Sequence, residues 1–146
     1  MNAFQPLRYR WAVFFIVVTA LFIPTFVKAQ SGNSYGVAVR LTSPETQRVP
    51  AGGTAYFSIT VHNQQSEGEN FVGRITTDDY SAIPLPDELN FYLGISAAQE
   101  QQIALYVPSD TAVGTYTYAY FVEGRDNSVL RDQVSFSVEV IPGRSL

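Results

Sequence analysis

The chain is 146 residues long, 46% hydrophobic and 14% aromatic, with one histidine, no cysteine and a formal net charge of −4. The absence of cysteine excludes disulfide staples, a lipidated N-terminal cysteine and thiolate metal sites, so an exported domain of this kind must rest on its packed core. The acidic balance excludes nucleic acid and anionic headgroups as natural partners, because both would be repelled.

The first 29 residues form a unit of their own. Arg8 and Arg10 precede an uninterrupted apolar run from Trp11 to Val27, which contains Pro24 and ends in the small-residue stretch Val27-Lys28-Ala29. That layout is the one of a secretory signal peptide cut between Ala29 and Gln30; the other reading is an uncleaved single-pass membrane anchor. Either way the remainder is expected outside the cytoplasm: secreted, periplasmic or at the cell surface, and membrane-anchored if the leader is not cut. Loss of residues 1–29 removes Arg8, Arg10 and Lys28. Six arginines then face thirteen carboxylates, a formal charge of −7 with no lysine.

After a short polar segment, Gln30–Tyr35, apolar and polar residues alternate in short runs separated by turn formers, which is strand periodicity. The pattern predicts seven strands: Gly36–Thr42, Thr54–Asn63, Asn70–Thr77, Leu89–Ser96, Gln101–Val107, Thr115–Glu123 and Asp132–Ile141. The breaks carry Ser43-Pro44, Pro50-Ala51-Gly52-Gly53, Gln64 to Glu69, Pro84 to Asp87, Pro108 to Gly114 and Gly124 to Ser128, residues that fix φ, permit φ > 0 or cap a turn. Residues 142–146 form a tail.

Every second residue defines an inward face. It comprises Val37, Val39 and Leu41; Ala55, Phe57, Ile59 and Val61; Phe71 and Ile75; and Phe91, Leu93 and Ile95. The later strands add Ile103, Leu105 and Val107; Tyr116, Tyr118, Tyr120 and Val122; and Val134, Phe136, Val138 and Val140. Seven short strands at this spacing predict an all-β, immunoglobulin-like antiparallel β-sandwich over residues 36–141. In "VPSDTAVGTYTYAYFVEG" (Val107 to Gly124), Gly114 lets the chain turn tightly before Tyr116, whose hydroxyl is placed to return to the backbone of the crossing loop as a tyrosine corner.

The stretches "VPAGGTAYFSITVHNQ" (Val49 to Gln64), "IALYVPSDTAVGTYTYAYFVEG" (Ile103 to Gly124) and "VSFSVEV" (Val134 to Val140) together resemble the CARDB-type and alpha-galactosidase-associated Ig-like modules of bacterial and archaeal envelope proteins. The shared features are a Pro-x-Gly turn, a strand ending in Asn, a strand closing on Val-Pro and a Gly-x-Tyr start to the next. They span Gly36 to Ile141. The resemblance implies an Ig-like fold, and a role as spacer, adhesion unit or surface-binding unit.

Catalytic constellations are missing. The single histidine, His62, falls on the outward phase of its strand with no nucleophile and acid in reach of the pattern. "AGGT" (Ala51 to Thr54) joins strand to strand and does not open a phosphate-binding helix. Asp78 and Asp79 are adjacent on a strand-like segment and point to opposite faces, which argues against a carboxylate-pair glycosidase. With Asp126 they are the weak candidates for calcium, since hard oxygen ligands in loops suffice for that ion; no cofactor is expected.

Assuming the usual Ig strand order, Tyr56, Tyr92 and Tyr106 share the outer face of one sheet as an aromatic platform for protein contact or sugar stacking. The sequence therefore predicts a non-enzymatic exported binding or adhesion module whose partner is an envelope protein, a glycan or a second copy. The alternative is a structural subunit of a surface filament or coat, lending Gln30–Tyr35 to a neighbour's sheet edge.

Overall fold

The computed structural model describes residues 36–80 and 82–143. The leader at 1–29, where a signal or anchor helix is expected, the segment Gln30–Tyr35 and residues 144–146 lie outside the described residues. The described chain is all-β, with eight strands: β1 (Val37–Leu41), β2 (Thr46–Pro50), β3 (Thr54–Asn63), β4 (Glu69–Thr76), β5 (Leu89–Leu93), β6 (Ala98–Tyr106), β7 (Gly114–Gly124) and β8 (Arg131–Ile141). They form two sheets, β1-β3-β6 and β2-β8-β7-β4-β5.

Two features depart from the seven-stranded antiparallel expectation. β2 lies in what reads as a connection, and it pairs parallel with β8, Thr46 opposite Ser137 through Pro50 opposite Ile141. Its pattern is weak because Val49 is its only apolar residue besides Pro50, and only Gln47 and Val49 are half-buried. The crossing between sheets is short. Ser43 N donates to Ser58 O in the first sheet at 3.3 Å, and Glu45 O accepts from Ser137 N in the second at 2.8 Å. Pro44 stands between them, where its missing N–H costs nothing. The chain thus keeps its heading as it changes sheets, and β2 arrives parallel to β8.

The second departure concerns β5. It hydrogen-bonds to β4 in the five-stranded sheet, with Phe71 opposite Phe91. It also ends at Leu93: Ala97 N returns to Gly94 O at 3.1 Å and Ser96 takes φ 51, a tight turn that breaks the alternation. Ile95, assigned inward, is therefore 66% exposed.

The remaining inward positions are buried, save Leu41, Phe91 and Tyr116, which are half-buried against the core. Phe57 of one sheet meets Phe136 of the other at 4.3 Å between ring centroids, and Tyr118 lies beside Phe136 at 5.9 Å. Ile83 from the β4–β5 loop and Leu130 from the β7–β8 turn complete the core. Tyr120 crosses the sandwich above Gly73, where an added Cβ would fall 1.9 Å from its hydroxyl, and donates that hydroxyl to Gln101 Oε1. Only glycine leaves room for that passage.

Candidate functional site

The outer face of the three-stranded sheet is built by the alternation that buries Ala55, Phe57, Leu105 and Val107. With those side chains inward, Tyr56 and Tyr106 must point out. Thr54 pairs with Tyr106 and Tyr56 with Ala104, so the two tyrosines are diagonal neighbours on adjacent strands. They are 64% and 55% exposed. Next along the face come Ser58 opposite Gln102, then Thr60 between Glu100 and Arg40, then His62 between Ala98 and Ala38. The face thus has an uncharged aromatic end, formed by Tyr56, Ala104, Tyr106, Ser58 and Gln102, and a charged row two pairs further on.

Tyr92 does not join this platform. It lies on β5 opposite Asn70, in the other sheet, and its hydroxyl lies against Gly68, where a Cβ would come within 1.9 Å. It is 62% exposed. The expectation failed because strand alternation fixes which way a side chain points, not which sheet its strand joins.

The acidic candidates are dispersed. Asp78 and Asp79 follow β4, near the start of β7, since Thr76 pairs with Ala119. Asp126 follows the end of β7, which pairs with the start of β4, Gly124 opposite Phe71. Opposite ends of the sheet therefore separate them. Asp79 N donates to Thr77 Oγ1 at 3.2 Å, a local loop contact, and Asp126 N donates to Glu69 Oε1 at 3.4 Å, joining the β7–β8 turn to the start of β4. Among the described residues no group of three or more His, Cys, Asp and Glu side chains is placed to hold a metal ion.

The Tyr116 hydroxyl donates to Ala112 O at 2.8 Å, closing the loop ahead of β7. Gly114 does not have the role its type suggests. Its φ is not positive, and a Cβ there meets nothing within 4 Å, so the turn would accept a side chain.

Sequence reasoning passed over the buried polar groups Asn63, Gln101 and Asp132. Each falls on the inward phase at or near a strand end, and that phase was the signal. Asn63 Nδ2 donates to Glu67 O at 2.8 Å, Gly94 O at 3.0 Å and Leu93 O at 3.2 Å, while its Oδ1 accepts from Gln65 N at 3.0 Å. One side chain thereby ties the β3–β4 turn to the end of β5 across the sandwich. Their bonds to other groups of the fold mark Asn63 and Asp132 as architectural.

No protein-family model matches the sequence, and no curated protein matches it. Solved structures do. A family 123 glycoside hydrolase from Clostridium perfringens superposes at TM-score 0.55 and 11% identity over 73% of this chain, and an Escherichia coli alpha-2-macroglobulin at 0.56 and 12% over 75%. The chain spans only 28% and 7% of those two proteins. A CARDB domain from Pyrococcus furiosus matches at TM-score 0.53 and 16% identity, over 76% of this chain and 95% of that domain. What the chain shares with these structures is a fold, and over nearly the whole of the CARDB domain that fold is an Ig-like β-sandwich of the CARDB type.

Proposed function

We propose that this is a non-enzymatic, exported Ig-like binding or adhesion module that contacts an envelope protein or glycan through the outer face of β1, β3 and β6. The observation that carries the reading is the adjacency of Tyr56 and Tyr106, both more than half exposed, with only Ala104, Ser58 and Gln102 around them. Two tyrosines with few rotamers present flat rings for stacking on a sugar or an apolar side chain, and hydroxyls that stay wet. The dispersal of the acids and the position of His62 between alanines support a binding role over a catalytic one.

Pull-down from envelope extracts and glycan-array binding test it. The pair Tyr56→Ser and Tyr106→Ser should abolish binding while the domain stays folded, and Tyr92→Ser should leave it unchanged. Undiminished binding by the double variant, to a partner the parent protein captures, overturns the reading.

A further inference from the structure

The four sheet edges of the sandwich are not equivalent. At the β1 edge the Val39 N–H is occupied by Asp132 Oδ2 at 2.8 Å. β2 and β5 are five residues each, and β2 carries Arg48 and ends in Pro50. Short length, charge, proline and an inward-turned carboxylate are the usual protections of an edge strand. Of these β6 has only a single charge, Glu100. It runs for nine residues without proline, lysine or arginine, pairs only with β3, and keeps an unbroken register from Tyr106 opposite Thr54 to Ala98 opposite His62.

The bonds at its two ends fix its phase. Val107 exchanges bonds with the β2–β3 turn, Gly52 N to Val107 O at 2.8 Å and Val107 N to Gly53 O at 2.9 Å, and Ala97 O accepts from Asn63 N at 2.9 Å. Odd positions therefore face β3. The alternate residues Ala98, Glu100, Gln102, Ala104 and Tyr106 direct their N–H and C=O to the open side, and all five are exposed. No backbone bond from another described residue covers them.

We propose that this edge pairs with the β6 edge of a second copy of the chain, antiparallel about a two-fold axis through Gln102, to form a six-stranded sheet. The strand is complementary to itself in that register. Gln102 faces Gln102, Glu100 faces Ala104, and Ala98 faces Tyr106, so the one charge meets no like charge and the one large ring meets a methyl group. Every outward N–H and C=O of β6 gains a partner.

Gln101 supplies an independent reason. It is 6% exposed, and its Nε2 has no hydrogen-bond partner among the described residues. A buried unpartnered amide beside an open strand is costly, and in this register the two Gln101 side chains become diagonal neighbours. Each Nε2 can then donate to the other's Oε1, whose second lone pair Tyr120 leaves free. The pairing also sets the tyrosine ends of the two outer faces in one continuous sheet. It stands independently of what that face binds.

The chain has no cysteine, so single cysteines report the register in the full-length protein. Facing residues of a hydrogen-bonded antiparallel pair have Cα atoms about 5.5 Å apart, within disulfide reach. Gln102→Cys should therefore give a covalent dimer on mild oxidation. Ala104→Cys should not, because the two Ala104 positions lie four residues apart along the strand. Gln102→Pro removes an N–H that only the second copy would use, and should convert dimer to monomer in light scattering. Added salt should strengthen the parent dimer by screening two acidic chains. A parent protein that is monomeric at all concentrations overturns the proposal, as does equal cross-linking by both cysteines or capture of a different protein at this edge without self-association. Association through the apolar run Trp11 to Val27 would survive Gln102→Pro and show no register preference, and that result would overturn it too.

Discussion

Asp132, the second residue of β8, accepts the backbone N–H of Val39 at 2.8 Å and so ties the edge of the three-stranded sheet to the five-stranded one. Both residues are buried, at 6% and 4% exposure. The sandwich is closed on this side by a side chain standing in for a ladder partner. Asp132→Ala leaves a buried amide unsatisfied and should cost about 1–3 kcal/mol, read as a lower denaturant midpoint with an unchanged slope. Asp132→Asn keeps an acceptor oxygen and should lose less. Equal midpoints for the parent and the alanine variant would show that water satisfies Val39 as well as Asp132 does.

Asn63 is the counterpart at the end of β3. Its amide serves three carbonyls and one N–H, so Asn63→Ala removes several bonds from a fully buried site and should cost about 2–3 kcal/mol. Asn63→Asp is the sharper test. A carboxylate would face the same three carbonyl oxygens with no proton to give, and an uncompensated buried charge costs about 3–5 kcal/mol. The aspartate variant should unfold at lower denaturant than the alanine one; the reverse order would mean that the site admits water.

The Tyr116 bond to Ala112 O lies at the surface, where water competes for both groups. Tyr116→Phe should therefore lose only about 0.5–1.5 kcal/mol, the net value of a neutral hydrogen bond. Gly114→Ala should change stability little, since nothing stands where its Cβ would go. An equal and large loss in both would point to a strained turn that the backbone angles do not indicate.

How far the sequence carried can be judged from β3 and β2. In β3 the alternation is strong enough that Thr54 to Asn63 matches the strand end to end. In β2 a single half-buried valine is too weak an apolar pattern to read, and the strand exists because the short Ser43–Glu45 crossing delivers it to the edge of β8. The misplacement of Tyr92 has the same origin. Which strand lies beside β6 is a long-range fact settled by the β4–β5 loop, whose Ile83 is fully buried, and no local pattern encodes it. The buried polar residues were legible in principle. Asn63 continues the phase of Val61, Gln101 that of Ile103, and Asp132 that of Val134; reading them as strand ends discarded the phase.

The buried tyrosines give the fold a defined alkaline limit. Burial pushes the Tyr120 hydroxyl up to about 12 from an ordinary 10. Burial first, then the Asp79 carboxylate, then Tyr116, do the same for Tyr118. A raised phenol means that the folded chain holds its protons where the unfolded chain has released them. Stability is therefore complete below pH 10 and falls as pH rises from 10 towards 12, by at most about 3 kcal/mol per tyrosine. Urea unfolding across this range, followed with the tyrosinate absorbance, measures the slope. Tyr118→Phe should flatten it and cost little at neutral pH, because its buried hydroxyl has no hydrogen-bond partner among the described residues to lose. Tyr120→Phe should flatten it as well but cost more, since it strips Gln101 Oε1 of its donor. A midpoint that stays level through the alkaline range, or a Tyr118→Phe variant as weak as Tyr120→Phe at neutral pH, would show that solvent reaches these hydroxyls inside the sandwich.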